Sequence, residues 1–164
     1  MKLTVPTSVG DFVAHYSERG LARLDFPASN RAHTRSENGD IKPSAEVRRW
    51  HGLTTAALKE ILAGRKPGKL PPLDLSAGTE FQQRVWRAML EITFGQTLSY
   101  AEIAAKIGKP KATRAVGGAC GANPIPVLVP CHRVLAAHQR LGGFSAGLDW
   151  KRKLLAIESI KTLA

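Results

Sequence analysis

Asn123-Pro124-Ile125-Pro126-Val127-Leu128-Val129-Pro130-Cys131-His132-Arg133 is the stretch on which the reading of this 164-residue chain turns. Its prolines forbid helix and its β-branched residues favour an extended segment packed on both sides, so the sequence predicts a buried strand running into Pro130. A thiol, an imidazole and a guanidinium then emerge together at the strand end. Free cysteine is weakly ionised at neutral pH, and a working thiol needs positive charge, a helix N-terminus or a paired base beside it. His132 and Arg133 are the next two residues. Plain core packing is the competing reading of Cys131, because cysteine is among the most buried residue types. Adjacent residues of a regular strand also face opposite ways, so Cys131 and His132 share a site only if the chain turns sharply at Pro130.

Upstream of this stretch the punctuation is helical. Thr79-x-x-Gln82 is a capping box that opens a helix through Phe94, with Gly95 as its stop and Phe81, Val85, Met89 and Ile92 on its buried side. Ser99-Tyr-Ala-Glu102 is a second box, opening a short helix from Tyr100 to Ile107 that stops at Gly108. Lys109-Pro110 makes the turn. A further helix spans about Lys111 to Gly121, where Ala115, Val116 and Ala119 allow close packing and Gly117-Gly118 let something larger approach the backbone. Two short helices about a glycine-containing turn predict a helix-turn-helix, whose second helix enters a DNA groove. Lys106, Lys109, Lys111 and Arg114 fall within nine residues that hold no acid. A solvated face is the ordinary meaning of such a cluster; the glycines and the helix spacing favour nucleic acid here.

Downstream, Leu141-Gly-Gly-Phe144-Ser145-Ala-Gly147 is a loop suited to close backbone approach to a ligand, with a ring and a hydroxyl to offer. The last helix, about Leu148 to Ile160, turns Trp150, Leu154, Leu155 and Ile157 inward and Lys151, Arg152 and Lys153 toward water. Glu158 lies beside its apolar stripe, where a carboxylate can orient a buried imidazole.

In the first half, Asp11–Tyr16 and Leu21–Phe26 alternate as two strands about Ser17–Gly20, a β-hairpin closed by Pro27. Residues 28–44 are polar and read as a surface loop turning at Asn38-Gly39-Asp40. Ala45 to Ala63 has helical spacing through Val47, Trp50, Leu53, Leu58, Ile61 and Leu62, weakened by Gly52 and two threonines. Lys66-Pro-Gly-Lys-Leu-Pro-Pro-Leu73 is an extended connector. The fold expected is an α/β domain over residues 1–76, a hairpin-containing sheet plus helix, followed by a mostly α domain over 77–164.

The formal charge of +11 calls for a polyanionic partner, and the 43% apolar content is enough for a buried core. No apolar run suits a membrane span or a signal peptide, so a cytoplasmic location is expected, on the nucleoid in a prokaryote. Cys120 and Cys131 have neither disulfide-framework nor zinc-site spacing, and the histidines are scattered; no metal is expected.

Residues 79–160 resemble the C-terminal domain of the O6-alkylguanine-DNA alkyltransferases. The matching segments are Ser99-Tyr100, Lys111-Ala-Thr-Arg-Ala-Val-Gly-Gly118, Asn123-Pro-Ile-Pro126, Val129-Pro-Cys-His-Arg-Val134, Gly143-Phe-Ser145 and Leu154-Leu-Ala-Ile-Glu158. The first half resembles these proteins in layout only, without the zinc ligands that some of them carry.

The resemblance implies direct reversal of O6-alkylguanine, and of O4-alkylthymine, by a protein that reacts once and needs no cofactor. Cys131 would take the alkyl group. His132 would draw the thiol proton through a water, and Glu158 would hold the imidazole. Tyr100 would drive rotation of the nucleotide and help protonate the departing base, while Arg114 fills the gap in the duplex. Lys111, Ala115, Gly117 and Gly118 would lie against the minor groove of double-stranded DNA, with Val134, Phe144 and Ser145 walling the pocket and Asn123 bracing the reactive segment. Phe144 stands where relatives often have tyrosine. A monomer is expected. A helix-turn-helix protein that binds alkylated DNA without chemistry would lack the nucleophile. A cysteine hydrolase would give Tyr100, Arg114 and the glycine-rich helix no task.

Overall fold

Alternating apolar residues build the first layer. A computed structural model describes residues 1–28 and 41–162, and in it the expected hairpin is β2 (Gly10–Tyr16) and β3 (Leu21–Asp25). A strand the sequence reading missed, β1 (Lys2–Thr7), pairs antiparallel with β2 from Lys2↔His15 to Thr7↔Gly10 and completes a three-stranded sheet of order β1-β2-β3. Pro6 disguises it, since proline cannot donate to a ladder and is tolerated only on an edge, which β1 is. Val5, Phe12, Ala14, Tyr16, Leu21 and Leu24 are buried from this sheet.

Helix α1 (Ala45–Leu62) starts at Ser44, whose hydroxyl accepts from the Val47 amide, and buries Trp50, Ala57, Leu58 and Ile61. Thr54, a weakening residue in the sequence, is buried with its hydroxyl donating to the Trp50 carbonyl and accepting from the Tyr16 hydroxyl, both at 2.9 Å. A threonine satisfied in this way costs the helix little. The polar loop expected over 28–44 lies outside the described residues from 29 to 40, its turn at Asn38-Gly39-Asp40 included. The connector is extended as expected and docks on β3: the Leu21 amide donates to the Pro72 carbonyl and the Asp74 amide to that of Leu21, each at 2.8 Å.

In the second half, α2 (Glu80–Leu90) has the Thr79/Gln82 capping box but ends four residues before Phe94. The amides of Glu91 and Ile92 reach back only three residues, to Ala88 and Met89, which tightens and closes the last turn. The Trp86 indole donates to the Ala119 carbonyl at 2.8 Å and locks α2 to α4 (Thr113–Gly121). Helix α3 (Tyr100–Lys106) has the Ser99/Glu102 box, and its neighbour α4 starts at Thr113 rather than Lys111 because the Ala112 amide turns back to Lys109. Between α2 and α3, β4 (Leu98–Ser99) pairs in parallel with β5 (Val134–Leu135).

The strand expected over 123–129 does not form. Pro124 and Pro126 remove two ladder donors, and Val127 takes φ +73, a conformation costly for a β-branched residue, so the chain reverses. The buried Asn123 side chain spans the reversal, donating to the Val129 carbonyl at 2.8 Å and accepting from the Ile125 amide at 3.0 Å. Helix α5 (Leu148–Ile157) stops short of Ile160, with Glu158 at its cap and Ser159 at φ +59. One buried apolar cluster takes residues from both halves, from Val5 and Phe12 to Val134 and Leu154. No helix of the described residues is long and apolar enough to cross a membrane.

Candidate active site

Pro130 ends the reversal and Cys131–Arg133 form a single 3-10 turn. The thiol, imidazole and guanidinium therefore fan out around a turn instead of alternating across a strand. All three are buried, Cys131 to 4% exposure and His132 completely.

His132 Nε2 donates to Glu158 Oε1 at 2.9 Å. Arg133 clasps the same carboxylate, its Nε and Nη2 reaching Oε1 at 3.0 and 2.8 Å and its Nε also reaching Oε2 at 2.9 Å, while its Nη1 donates to the Ile92 carbonyl at 2.8 Å. The Gly95 amide donates to Oε2 at 3.2 Å. Burial alone would raise the Glu158 carboxyl, but the hydrogen bonds from His132 and Arg133 outweigh it and hold the pKa down at about 2. Burial lowers His132, against the pull of Glu158, and favours the neutral ring. With Nε2 committed to Glu158, Nδ1 is the basic nitrogen. It is buried and has no hydrogen-bond partner among the described residues.

Burial pushes the Cys131 thiol up to about 11, opposed by the Asn123 side chain, the Lys151 charge and nearby backbone amides. Such a thiol is unreactive until a base takes its proton. It lines a cavity of about 100 Å³ with Tyr100, Gly117, Cys120, Gly121, Gly143 and Phe144. Gly142, at φ +68, lies so close to Tyr100 that a Cβ there would meet the tyrosine hydroxyl at 2.7 Å. Burial raises the Tyr100 phenol, with Cys120 adding to the effect.

Lys151 is a correction. Expected toward water, it is fully buried, its Nζ donating to the carbonyls of Val134 at 2.7 Å and Gly143 at 3.1 Å. Burial lowers it to about 8, opposed by the two cysteines. It stands three and four residues before Leu154 and Leu155, on the same buried face of α5, and that spacing was the available signal. Arg133, read only as a positive charge beside the thiol, holds Glu158, and Cys120 lines the cavity with Cys131.

The structure thus brings Cys131, Tyr100, Gly117 and Phe144 to one cavity and His132 and Glu158 into one network. Val134 is buried in β5 and meets the site through its carbonyl; Ser145 is exposed on the loop beside Phe144. Lys111, Arg114, Ala115 and Gly118 form an exposed face on and before α4. A Cβ built on Gly117 or Gly118 meets nothing within 4 Å, so internal packing does not demand either glycine. Lys106 is taken up by Glu91 at 2.6 Å, which leaves Lys109, Lys111 and Arg114 as the basic group of this face. Among the described residues no cluster of His, Cys, Asp or Glu could hold a metal ion.

Residues 80–160 match the family model described as "6-O-methylguanine DNA methyltransferase, DNA binding domain". A "Methylated-DNA--protein-cysteine methyltransferase" of Methanosarcina barkeri is 50% identical over 157 residues, 94% of each chain. One of the same name from Mycolicibacterium paratuberculosis is 50% identical over 106 residues, covering 63% of this chain and 64% of that one. The crystal structure of Mycobacterium tuberculosis OGT in complex with DNA superposes with a TM-score of 0.74 at 37% identity, over 94% of this chain and 90% of that one. With 50% identity over 94% of both chains, the chain belongs to the methylated-DNA--protein-cysteine methyltransferase family.

Proposed function

We infer that this protein repairs O6-alkylguanine, and O4-alkylthymine, in double-stranded DNA by moving the alkyl group onto Cys131 in a single irreversible event. The observation that carries the reading is a buried thiol opening into a cavity beside an exposed glycine-rich helix face, next in sequence to a neutral imidazole anchored on Glu158.

A base stacked in a duplex hides its O6 substituent, so the nucleotide rotates out, at a cost of roughly a few kcal/mol. Arg114, exposed on α4, fills the space left in the stack. Lys111, Ala115, Gly117 and Gly118 let that helix lie in the minor groove, where readout is too degenerate to impose a sequence preference. Tyr100 presses on the rotated phosphate.

His132 Nδ1 takes the Cys131 proton through a water, and the imidazolium is stabilised by Glu158, which Arg133 keeps ionised. Sulfur attacks the alkyl carbon in line, the S–C bond forms as the C–O6 bond breaks, and the departing guanine gains its proton at N3 from Tyr100. Lys151 stabilises the thiolate and ties down the Gly143 carbonyl. Phe144 stacks on the base, with Val134 and Ser145 at its edges, and Asn123 keeps the reactive turn in register. A thioether has no leaving group that water can displace at neutral pH, so the protein is spent.

Residues 1–76 act as the supporting unit and 77–164 as the reactive one. The protein works as a monomer without a cofactor, in the cytoplasm and on the nucleoid if the cell is prokaryotic. The test is stoichiometry: with excess duplex carrying one O6-methylguanine, restored guanine stops rising at one per protein molecule. Continued turnover would refute the reading.

A further inference from the structure

The alkyl group ends on the Cys131 sulfur, so the cavity around that atom has to accommodate it. At about 100 Å³ the cavity is small, well below the roughly 300–1,000 Å³ of common ligand pockets. One of its walls is able to give. Gly117, Cys120 and Gly121 belong to α4, which the Trp86 indole locks to α2. Cys131 is on the turn that Asn123 braces, and Tyr100 starts a capped helix. Gly143 and Phe144 sit in an irregular loop flanked by Gly142 at φ +68 and Gly147 at φ +95, and of the two Phe144 brings the side chain, while the Gly143 carbonyl is held by Lys151.

Behind Phe144 stands a ring from the other half of the molecule. Phe26, just past the end of β3, meets it edge to face, with centroids 5.9 Å apart and planes at 78°. Phe26 is itself wedged against Trp150 at 4.8 Å and Phe12 at 5.4 Å, and those two rings touch each other at 5.9 Å. Phe12 is fully buried in β2, so the wedge is anchored in the sheet. Phe26 also borders an open cleft of about 690 Å³, lined by Pro27, Ala146, Gly147, Leu148 and Trp150. Phe26 thus touches both Phe144 and an open cleft, and its bulk decides how much of that space is available to the Phe144 loop.

We propose that Phe26 is a specificity-determining backstop: it sets how far Phe144 can withdraw from Cys131, and so limits the size of the O6-alkyl group the cavity takes. Phe26 is a positioning residue, acting through Phe144 without touching the base. The proposal rests on the alkyl-transfer reading and gives the N-terminal sheet a part in substrate choice.

The experiment compares single-turnover rates on two duplexes, one bearing O6-methylguanine and one O6-benzylguanine, for the unmodified protein, Phe26→Ala and Phe26→Trp. Phe26→Ala is expected to raise the benzyl-to-methyl rate ratio about tenfold, the scale on which apolar pockets discriminate small increments of size, with the methyl rate little changed. Phe26→Trp is expected to lower the ratio. Phe26→Leu stands in if the alanine variant does not fold, with a smaller rise expected. A ratio that stays the same in all variants overturns the backstop, and so does a parallel fall of both rates, which is what simple loss of packing produces. If the unmodified protein transfers neither group, the repair reading fails and the backstop with it, a result distinct from an unresponsive ratio.

Discussion

His132 and Glu158 meet at 2.9 Å, Nε2 to Oε1, with both side chains wholly buried. The carboxylate is shared with Arg133, which contacts both of its oxygens. Two buried cations or potential cations on one acid make that acid indispensable. Breaking a buried ion pair by removing one partner costs about 3–5 kcal/mol, because the other charge is stranded. Glu158→Gln is therefore expected to lose about that much stability in urea unfolding at neutral pH. Its alkyl-transfer rate is expected to fall by at least about 100-fold, the scale of a general base.

Much of this site was legible because its parts are local. Cys131, His132 and Arg133 are consecutive, and the capping boxes at Thr79 and Ser99 mark their helices through side-chain to backbone bonds only three residues long. Glu158 was found because it borders the apolar stripe of α5. What escaped was set by partners that the residue pattern does not announce. The strand expected over 123–129 became a reversal because Asn123 could satisfy backbone groups on both sides of it. Lys151 reads as a surface cation until the Val134 and Gly143 carbonyls, brought in by β5 and the glycine loop, supply its partners. Strand β1 was hidden by a proline that only an edge position excuses.

Acid should weaken the fold in two stages. Burial lowers His132 below its ordinary 6.5, so the stability it contributes is present above that value and declines as pH falls below it. Glu158, held at about 2 against an ordinary 4.5, contributes stability that is present above 4.5 and is lost as pH falls from there toward 2. The thermal midpoint is expected to drop gently below pH 6.5 and steeply below 4.5. Glu158→Gln should flatten this lower limb, leaving the part due to Asp74, whose carboxyl the Ser17 and Ser76 hydroxyls also hold low.

Lys151→Met separates activity from stability. It removes two hydrogen bonds to buried carbonyls, but it also removes the desolvation burden of a buried ammonium, and these oppose each other. The melting temperature is expected to change little. Reaction with the free base O6-benzylguanine should slow by about tenfold or more, because the thiolate loses its positive neighbour and the Gly143 carbonyl its anchor. A large fall in melting temperature with unchanged chemistry would show Lys151 to be structural alone.

Arg114→Ala addresses the DNA face. Arg114 is exposed on α4 and lies outside the lining of the Cys131 cavity. Reaction with the free base, which needs no extrusion from a stack, is expected to be near intact. Repair of an O6-methylguanine in duplex DNA should slow by about tenfold or more. Equal losses on the two substrates would contradict a role in extrusion.

The central claim is that the Cys131 sulfur is the alkyl acceptor, and Cys120, which lines the same cavity, is its natural competitor. Trypsin leaves both thiols in one fragment, residues 115–133, so the modified atom has to be placed by fragmenting that peptide. After reaction with a duplex bearing one O6-methylguanine, mass spectrometry is expected to find one methyl group, on Cys131, with Cys120 unmodified and no methyl group on a Cys131→Ser variant. A methyl group on Cys120, or an unmodified protein alongside repaired DNA, would contradict the mechanism.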